Sequence, residues 1–233
     1  MLESLRKRGL TQEELVSESI LQIIAGVDTT SIALRAGMLH ILSNPSAYRS
    51  LQDEIDAAVG SNRVSRPVIQ EADFKGLPYL QALVREIIRI FPPSIGLMTK
   101  TVPPEGDTTT IGGKEVFLPG GTGVSISLHG LQHSKAIYGR DAYVFRPERW
   151  LDRPEERLAL MQKAVDLNFG YGRYQCMGRG IAMSEIHKVL FELFRRFDFS
   201  LVDPMKPWAA NATRDFWLLK DFWLRVTERE VDK

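Results

Sequence analysis

The single cysteine of this 233-residue chain lies in Phe169-Gly170-Tyr171-Gly172-Arg173-Tyr174-Gln175-Cys176-Met177-Gly178. Closely spaced glycines let a backbone adopt positive φ and approach a flat ligand closely. A helix predicted from Gly178 turns its positive N-terminal end toward the sulfur, which favours negative charge there. A thiolate on a tight loop, with no second soft ligand, suits one axial position on a haem iron. The plain alternative is a buried cysteine packed as a small hydrophobe beside a glycine turn.

A second segment, Ala25-Gly26-Val27-Asp28-Thr29-Thr30, sits in the middle of a long helical pattern. Gly26 costs about 1 kcal/mol against Ala in a helix interior. Asp and Thr compete there for backbone hydrogen bonds. The neighbours Leu21, Ile23, Ile24, Ile32 and Leu34 predict burial. The segment reads as a bulge or kink opening a groove, with an acid and a hydroxyl placed to relay protons to a bound ligand. A helix crossing through small residues, with a satisfied buried Asp, is the competing reading.

Two further motifs are bland alone. Glu86-Ile87-Ile88-Arg89 puts opposite charges at i,i+3, a spacing common in surface ion pairs. Phe145-Arg146-Pro147-Glu148-Arg149-Trp150 has no chemistry that its own residues declare.

Other chemistries lack ligands. One cysteine allows no intrachain disulfide and no multi-cysteine metal site. His40, His129, His133 and His187 form no His-Glu-x-x-His pair, so a zinc hydrolase has nothing to stand on. Thirty Lys+Arg against 29 Asp+Glu leave a net charge of +1, which argues against a nucleic-acid binder. Hydrophobic content of 44% with 25% charged residues excludes a disordered chain. The sequence shows neither a signal peptide nor a membrane-spanning segment.

These residues need a mostly helical frame with a small β part. Thr11-Gln12-Glu13-Glu14 reads as a capping box opening a helix that runs to Asn44-Pro45. Asn44 and Pro45 read as N-cap and first residue of a second helix, with Tyr48, Leu51, Ile55 and Val59 on one face and Gly60 as its stop. A third runs from Pro78 to before Pro92-Pro93. Residues 108–118 read as a hairpin about Gly112-Gly113, and Val124–Ser127 as another strand. Helices are predicted over Pro154–Val165 and Gly178–Phe197. Asp215-Phe216-Trp217-Leu218 and Asp221-Phe222-Trp223-Leu224 read as two arms of one hairpin.

Taken in this order, the four motifs resemble the cytochrome P450 family of haem-thiolate monooxygenases, most closely its filamentous-fungal members. The resemblance covers essentially the whole chain. It implies the C-terminal part of that mainly α fold, so that residues 1–233 form a partial domain without the N-terminal half. Ala25 to Thr30 is similar to the oxygen-activation segment of the long central helix, with Asp28 and Thr29 in the catalytic positions and Ala25 and Gly26 against the haem. Glu86, Arg89 and Arg149 match a Glu-Arg-Arg structural network. Cys176 matches the axial ligand of haem b, with Phe169, Gly170 and Gly178 in its loop. Cys176-x-Gly178-x-x-x-Ala182-x-x-Glu185 continues like the helix after that loop.

Two departures stand out. The family usually has Arg or His two residues before the cysteine to pair with a haem propionate; here Tyr174 stands there, beside Arg173. Lys100 falls where another propionate-binding Arg is usual. The resemblance further implies O₂, a small organic substrate and a redox partner such as an NADPH-dependent reductase. Intact members are often anchored in the endoplasmic-reticulum membrane, and this chain has no anchor segment of its own. The alternatives are a truncated non-catalytic fragment unable to hold haem, and a haem-thiolate isomerase or dehydratase.

Overall fold

The capping box at Thr11 forms. Its hydroxyl accepts from the Glu14 amide, and the Glu14 carboxylate accepts from the Thr11 amide at 2.8 Å. The computed structural model describes residues 2–229. After a short helix α1 (Leu2–Lys7), the capped helix α2 spans Gln12–Leu42. Helix α3 (Pro45–Gly60) follows at once, buried through Leu51 and Ile55. Asn44 is at its N-cap position but does not cap it: its side-chain amide donates to the His40 carbonyl of α2 at 2.6 Å. Helix α4 (Pro78–Ile90) stops ahead of Pro92, as predicted.

The β part consists of antiparallel two-stranded ladders. β1 (Lys100–Thr101) pairs with β4 (Gly123–Val124), and β2 (Asp107–Ile111) with β3 (Lys114–Leu118). The predicted 124–127 strand is shorter than its sequence pattern. Ser127 has left the ladder, and its hydroxyl accepts from the Gly130 amide to cap α5 (Leu128–Gln132). Short helix α6 (Lys135–Tyr138) leads toward the 3₁₀ turn Pro147–Trp150 and α7 (Glu155–Asp166). Helix α8 (Arg179–Arg196) runs directly into β5 (Phe197–Leu201). β6 (Ala209–Ala212) pairs with β7 (Trp217–Lys220), and β5 with β8 (Leu224–Glu228). The two Asp-Phe-Trp-Leu stretches are therefore not arms of one hairpin. Each finds an earlier partner strand, and Asp221, at φ 55°, turns the chain from one ladder to the other.

Helix α4 lies at the centre of the molecule, touching α2, α3, α7, α8 and the 3₁₀ turn at Arg149. Ala82, Leu83, Val84 and Ile87 on it are fully buried, as are Leu190, Phe191 and Phe194 of α8. Helix α2 divides in two. Its C-terminal half is core, with Ala36 and Ile41 at 0% exposure. Its N-terminal half is not: Ile20, Leu21, Ile23, Ile24 and Val27 are each more than half exposed. The expected burial around residues 21–27 is thus corrected, because no described element covers that side. The expected bulge is also absent, and α2 stays α-helical through Gly26.

His40 stacks on Phe145, ring centroids 4.9 Å apart. Burial lowers its pKa from 6.5 to about 4, the Glu86 charge opposing this and the Arg89 charge adding to it. The folded pKa lies below the unfolded one, so the unfolded chain takes the proton first as pH falls. Stability from this site is complete above about 6.5 and declines down to about 4. At about 1.4 kcal/mol per unit, His40→Phe should narrow the stability gap between pH 7 and pH 5 by about 2 kcal/mol. Urea unfolding at both pH values checks this; parallel profiles for the two proteins would refute it.

Candidate active site

The cysteine loop is held from both ends. Its entry is the C-terminus of α7 and its exit is the N-terminus of α8. The Asp166–Arg179 ion pair, 2.7 Å, joins those two ends. Within the loop, the Cys176 amide donates to the Phe169 carbonyl at 2.6 Å, and Gln175 N–H to Gly172 at 3.0 Å. Gly170 has φ +73°, and a Cβ there would lie 2.6 Å from the Tyr174 carbonyl oxygen. Both conditions exclude other residues from a loop this tight. Phe169 is half-buried against the core, with the Arg179 guanidinium 5.6 Å from its ring.

Beside the loop is a cavity of about 820 Å³, at the upper end of the usual range for ligand sites. Phe169, Gly170, Tyr174, Cys176 and Gly178 line one wall. Ala25, Gly26 and Thr29 of α2 line another, with Ile181 and Ala182 of α8 and Met98 beside them. The helix and loop singled out in the sequence, some 150 residues apart, thus border one cavity. Nothing lies within 4 Å of where a Gly26 Cβ would stand. Thr29 Oγ1 donates to the Ala25 carbonyl at 2.9 Å. Three predicted site residues are not on the cavity wall: Asp28 is exposed on α2, and Lys100 and Arg173 reach the site only through the ring of Tyr174.

The Glu86 network lies beneath. Glu86, Arg89 and Arg149 are fully buried. One Glu86 oxygen accepts from Arg89 Nη2 (2.7 Å), Arg149 Nε (3.0 Å) and the Arg146 amide (2.8 Å). The other accepts from Arg89 Nε (2.8 Å) and Trp150 Nε1 (2.9 Å). Burial pushes the Glu86 carboxyl up, but these bonds and the two guanidinium charges outweigh it and hold it below its ordinary value. Glu86 and Arg89 are therefore not the surface ion pair that their spacing alone would allow.

The network reaches the loop through residues that sequence reasoning did not single out. Arg89 Nη1 donates to the Gln132 carbonyl at 2.8 Å. The Gln132 side-chain amide donates to the Ala164 carbonyl of α7 at 2.7 Å, and its oxygen accepts from Tyr138 at 2.7 Å. Two residues later α7 ends at Asp166, and the chain runs on into the cysteine loop. A glutamine and a tyrosine on short helices carry no local signal of such a role.

The donor set of the site is one that haem could use. Among the described residues no three His, Cys, Asp or Glu side chains gather to hold a metal ion. Cys176 is the one thiol, beside the weaker thioether donors Met98 and Met177 on the wall, and a porphyrin brings its own nitrogens, so a single thiolate completes the set. The largely apolar cavity and the open space over Gly26 fit a broad flat ligand. Gln22 Nε2 and Asn168 Oδ1 on the cavity wall are buried without partners, which leaves two polar contacts for a ligand to satisfy.

Comparison with known proteins agrees. The chain is 44% identical over 229 residues to the cytochrome P450 monooxygenase ABA1 of Pyricularia oryzae, covering 98% of this chain and 44% of that one. It is 38% identical to the cytochrome P450 monooxygenase aba1 of Botryotinia fuckeliana, covering 99% of this chain and 44% of that one. It is 40% identical to the cytochrome P450 monooxygenase abl1 of Leptosphaeria maculans, covering 89% and 36%. The chain spans less than half the length of these relatives. The Cytochrome P450 family model matches residues 1–221, and this chain belongs to that family.

Proposed function

We propose that this chain supplies the thiolate, oxygen-side helix and structural network of a haem monooxygenase. The enzyme inserts one oxygen atom of O₂ into a small organic substrate, with electrons from a partner such as an NADPH-dependent reductase. One observation carries the reading: Cys176 borders the same apolar cavity as Gly26 and Thr29. The names of the fungal relatives support it. Haem b, when bound, supplies oxygen activation, and a thiolate on its iron pushes electron density toward O–O cleavage.

The chain's own residues then have separable tasks. Cys176 holds the iron, on a loop fixed by Phe169, Gly170 and Gly178. Ala25 and Gly26 leave room for the porphyrin face. Thr29 offers a hydroxyl oxygen inside the cavity, and Asp28, on the solvent side of the same helix turn, is the acid that resupplies it. Lys100 and Arg173 supply positive charge for the porphyrin's carboxylates. Glu86, Arg89 and Arg149 fix the position of α7 and so of the loop entry.

The reduced carbon-monoxide difference spectrum of the haem-loaded protein tests the assignment. Cys176→Ser is expected to abolish the red-shifted Soret band that thiolate ligation gives. An unchanged band in that variant would remove Cys176 from the iron.

A further inference from the structure

Tyr174 stands two residues before the cysteine, where the resemblance leads one to expect a cation. Tyr174 lines the cavity yet is 58% exposed. It gathers two cations from separate segments. The Lys100 ammonium, on β1, sits 3.6 Å from the ring centroid, and the Arg173 guanidinium 5.0 Å from it. Among the described residues neither cation pairs with a carboxylate within 4 Å. Two like charges therefore share one ring beside a largely apolar cavity, with no carboxylate within 4 Å of either among the described residues.

A lysine ammonium on its four-carbon stem is mobile and strongly hydrated. The negative face of an aromatic ring restricts it. We propose that Tyr174 is a positioning residue: its ring holds the Lys100 ammonium at the cavity edge, where that ammonium takes a carboxylate of the bound porphyrin. This assignment rests on the haem reading above. A carboxylate carried by the substrate would satisfy the same ammonium, so the experiment separates the two sources.

Metal-free protoporphyrin IX, a diacid, and its dimethyl ester are titrated against the whole chain by porphyrin fluorescence. Neither forms a bond to sulfur, so their relative affinity reports carboxylate recognition independently of Cys176. The unsubstituted chain should prefer the diacid by about tenfold or more, the scale of a charge-assisted hydrogen bond. Lys100→Met should remove most of that preference. Tyr174→Leu should lower it about two- to fivefold, the scale of an exposed cation–π contact. Tyr174→Phe keeps the ring and should restore it. Lys100→Met combined with Tyr174→Leu should be no less selective than Lys100→Met alone, because the tyrosine acts through the lysine.

Equal affinity of the unsubstituted chain for diacid and ester would overturn the proposal and assign the ammonium to a different carboxylate. Tyr174→Leu as selective as the unsubstituted chain would also overturn it. So would Tyr174→Phe failing like Tyr174→Leu, since the phenol hydroxyl would then be the contact. A Cys176→Ser chain that keeps the diacid preference supports the proposal, whatever becomes of its haemin spectrum.

Discussion

Glu86→Gln is expected to destabilise the chain by about 3–5 kcal/mol, the usual cost of breaking a buried ion pair from one side. The Glu86 carboxylate accepts five hydrogen bonds from four residues. A glutamine presents one oxygen and one NH₂ group. The NH₂ would face donors, and both guanidinium charges would lose the one fully buried counter-charge they have among the described residues. Arg89 would keep its bonds to the carbonyls of Gln132, Ala142 and Val144, and Arg149 those to Tyr138, Asp141 and Val144. Those dipoles, with the Asp141 carboxylate 3.2 Å from Arg149, would then hold the two cations without the Glu86 charge. Replacing all three charged residues by leucine or methionine leaves no orphaned charge, but it strands Trp150 Nε1, the Arg146 amide and the carbonyls of Gln132, Ala142, Val144 and Tyr138, so it should cost at least as much as Glu86→Gln. Urea unfolding with an unchanged m-value measures both. A loss under about 1 kcal/mol for Glu86→Gln would show the network to be dispensable. The carboxyl is held below its ordinary value, so its contribution is present at neutral pH and is lost only as acid protonates it.

That network also shows where sequence reading stopped. Glu86 and Arg89 at i,i+3 were legible as a pair. Their complete burial was not, because it depends on Arg149 and Trp150 folding back from some 60 residues downstream. The capped start of α2, the proline-bounded α4 and the glycine loop were legible because each is written in local backbone chemistry: a side-chain cap, a missing amide, a positive φ. The pairing of Trp217 with Ala212, and of Leu224 with Leu201, was not, since strand partners are chosen by tertiary packing. The N-terminal half of α2 misled in the other direction. Its apolar side chains at 20–27 read as core, but burial needs a partner as well as an apolar side chain, and no described element lies over them. The common cavity of Cys176 and Thr29 was reached through the family resemblance, since nothing local relates a loop at 176 to a helix at 29.

Thr29→Val is expected to lower product yield about 10²-fold while oxygen is still consumed, if the proposed monooxygenase reading holds. Two electrons and two protons per O₂ would then emerge as hydrogen peroxide. The argument starts from the hydroxyl. Thr29 Oγ1 donates a hydrogen bond to the Ala25 carbonyl at 2.9 Å, and Thr29 lines the cavity. As acceptor it can hold a water; by rotating off Ala25 it can donate. Valine keeps the branched shape and the helix but can do neither. Asp28 is one residue earlier, exposed and off the cavity wall. It can refill the hydroxyl only through water, so its part is proton supply from solvent. Asp28→Asn should therefore slow turnover toward the lower end of the 10²–10⁴-fold range of general acid–base groups, with substrate affinity nearly unchanged. The two variants should differ in kind. Loss of the hydroxyl breaks the coupling of oxygen consumed to product formed. Loss of the acid slows both together, and its rate should show a solvent deuterium effect. Product formed against oxygen consumed, measured in the reductase-supplied enzyme, separates them. Unchanged coupling and rate in both variants would take these residues out of the proton path and reduce Thr29 to a helix residue bonded to its own backbone.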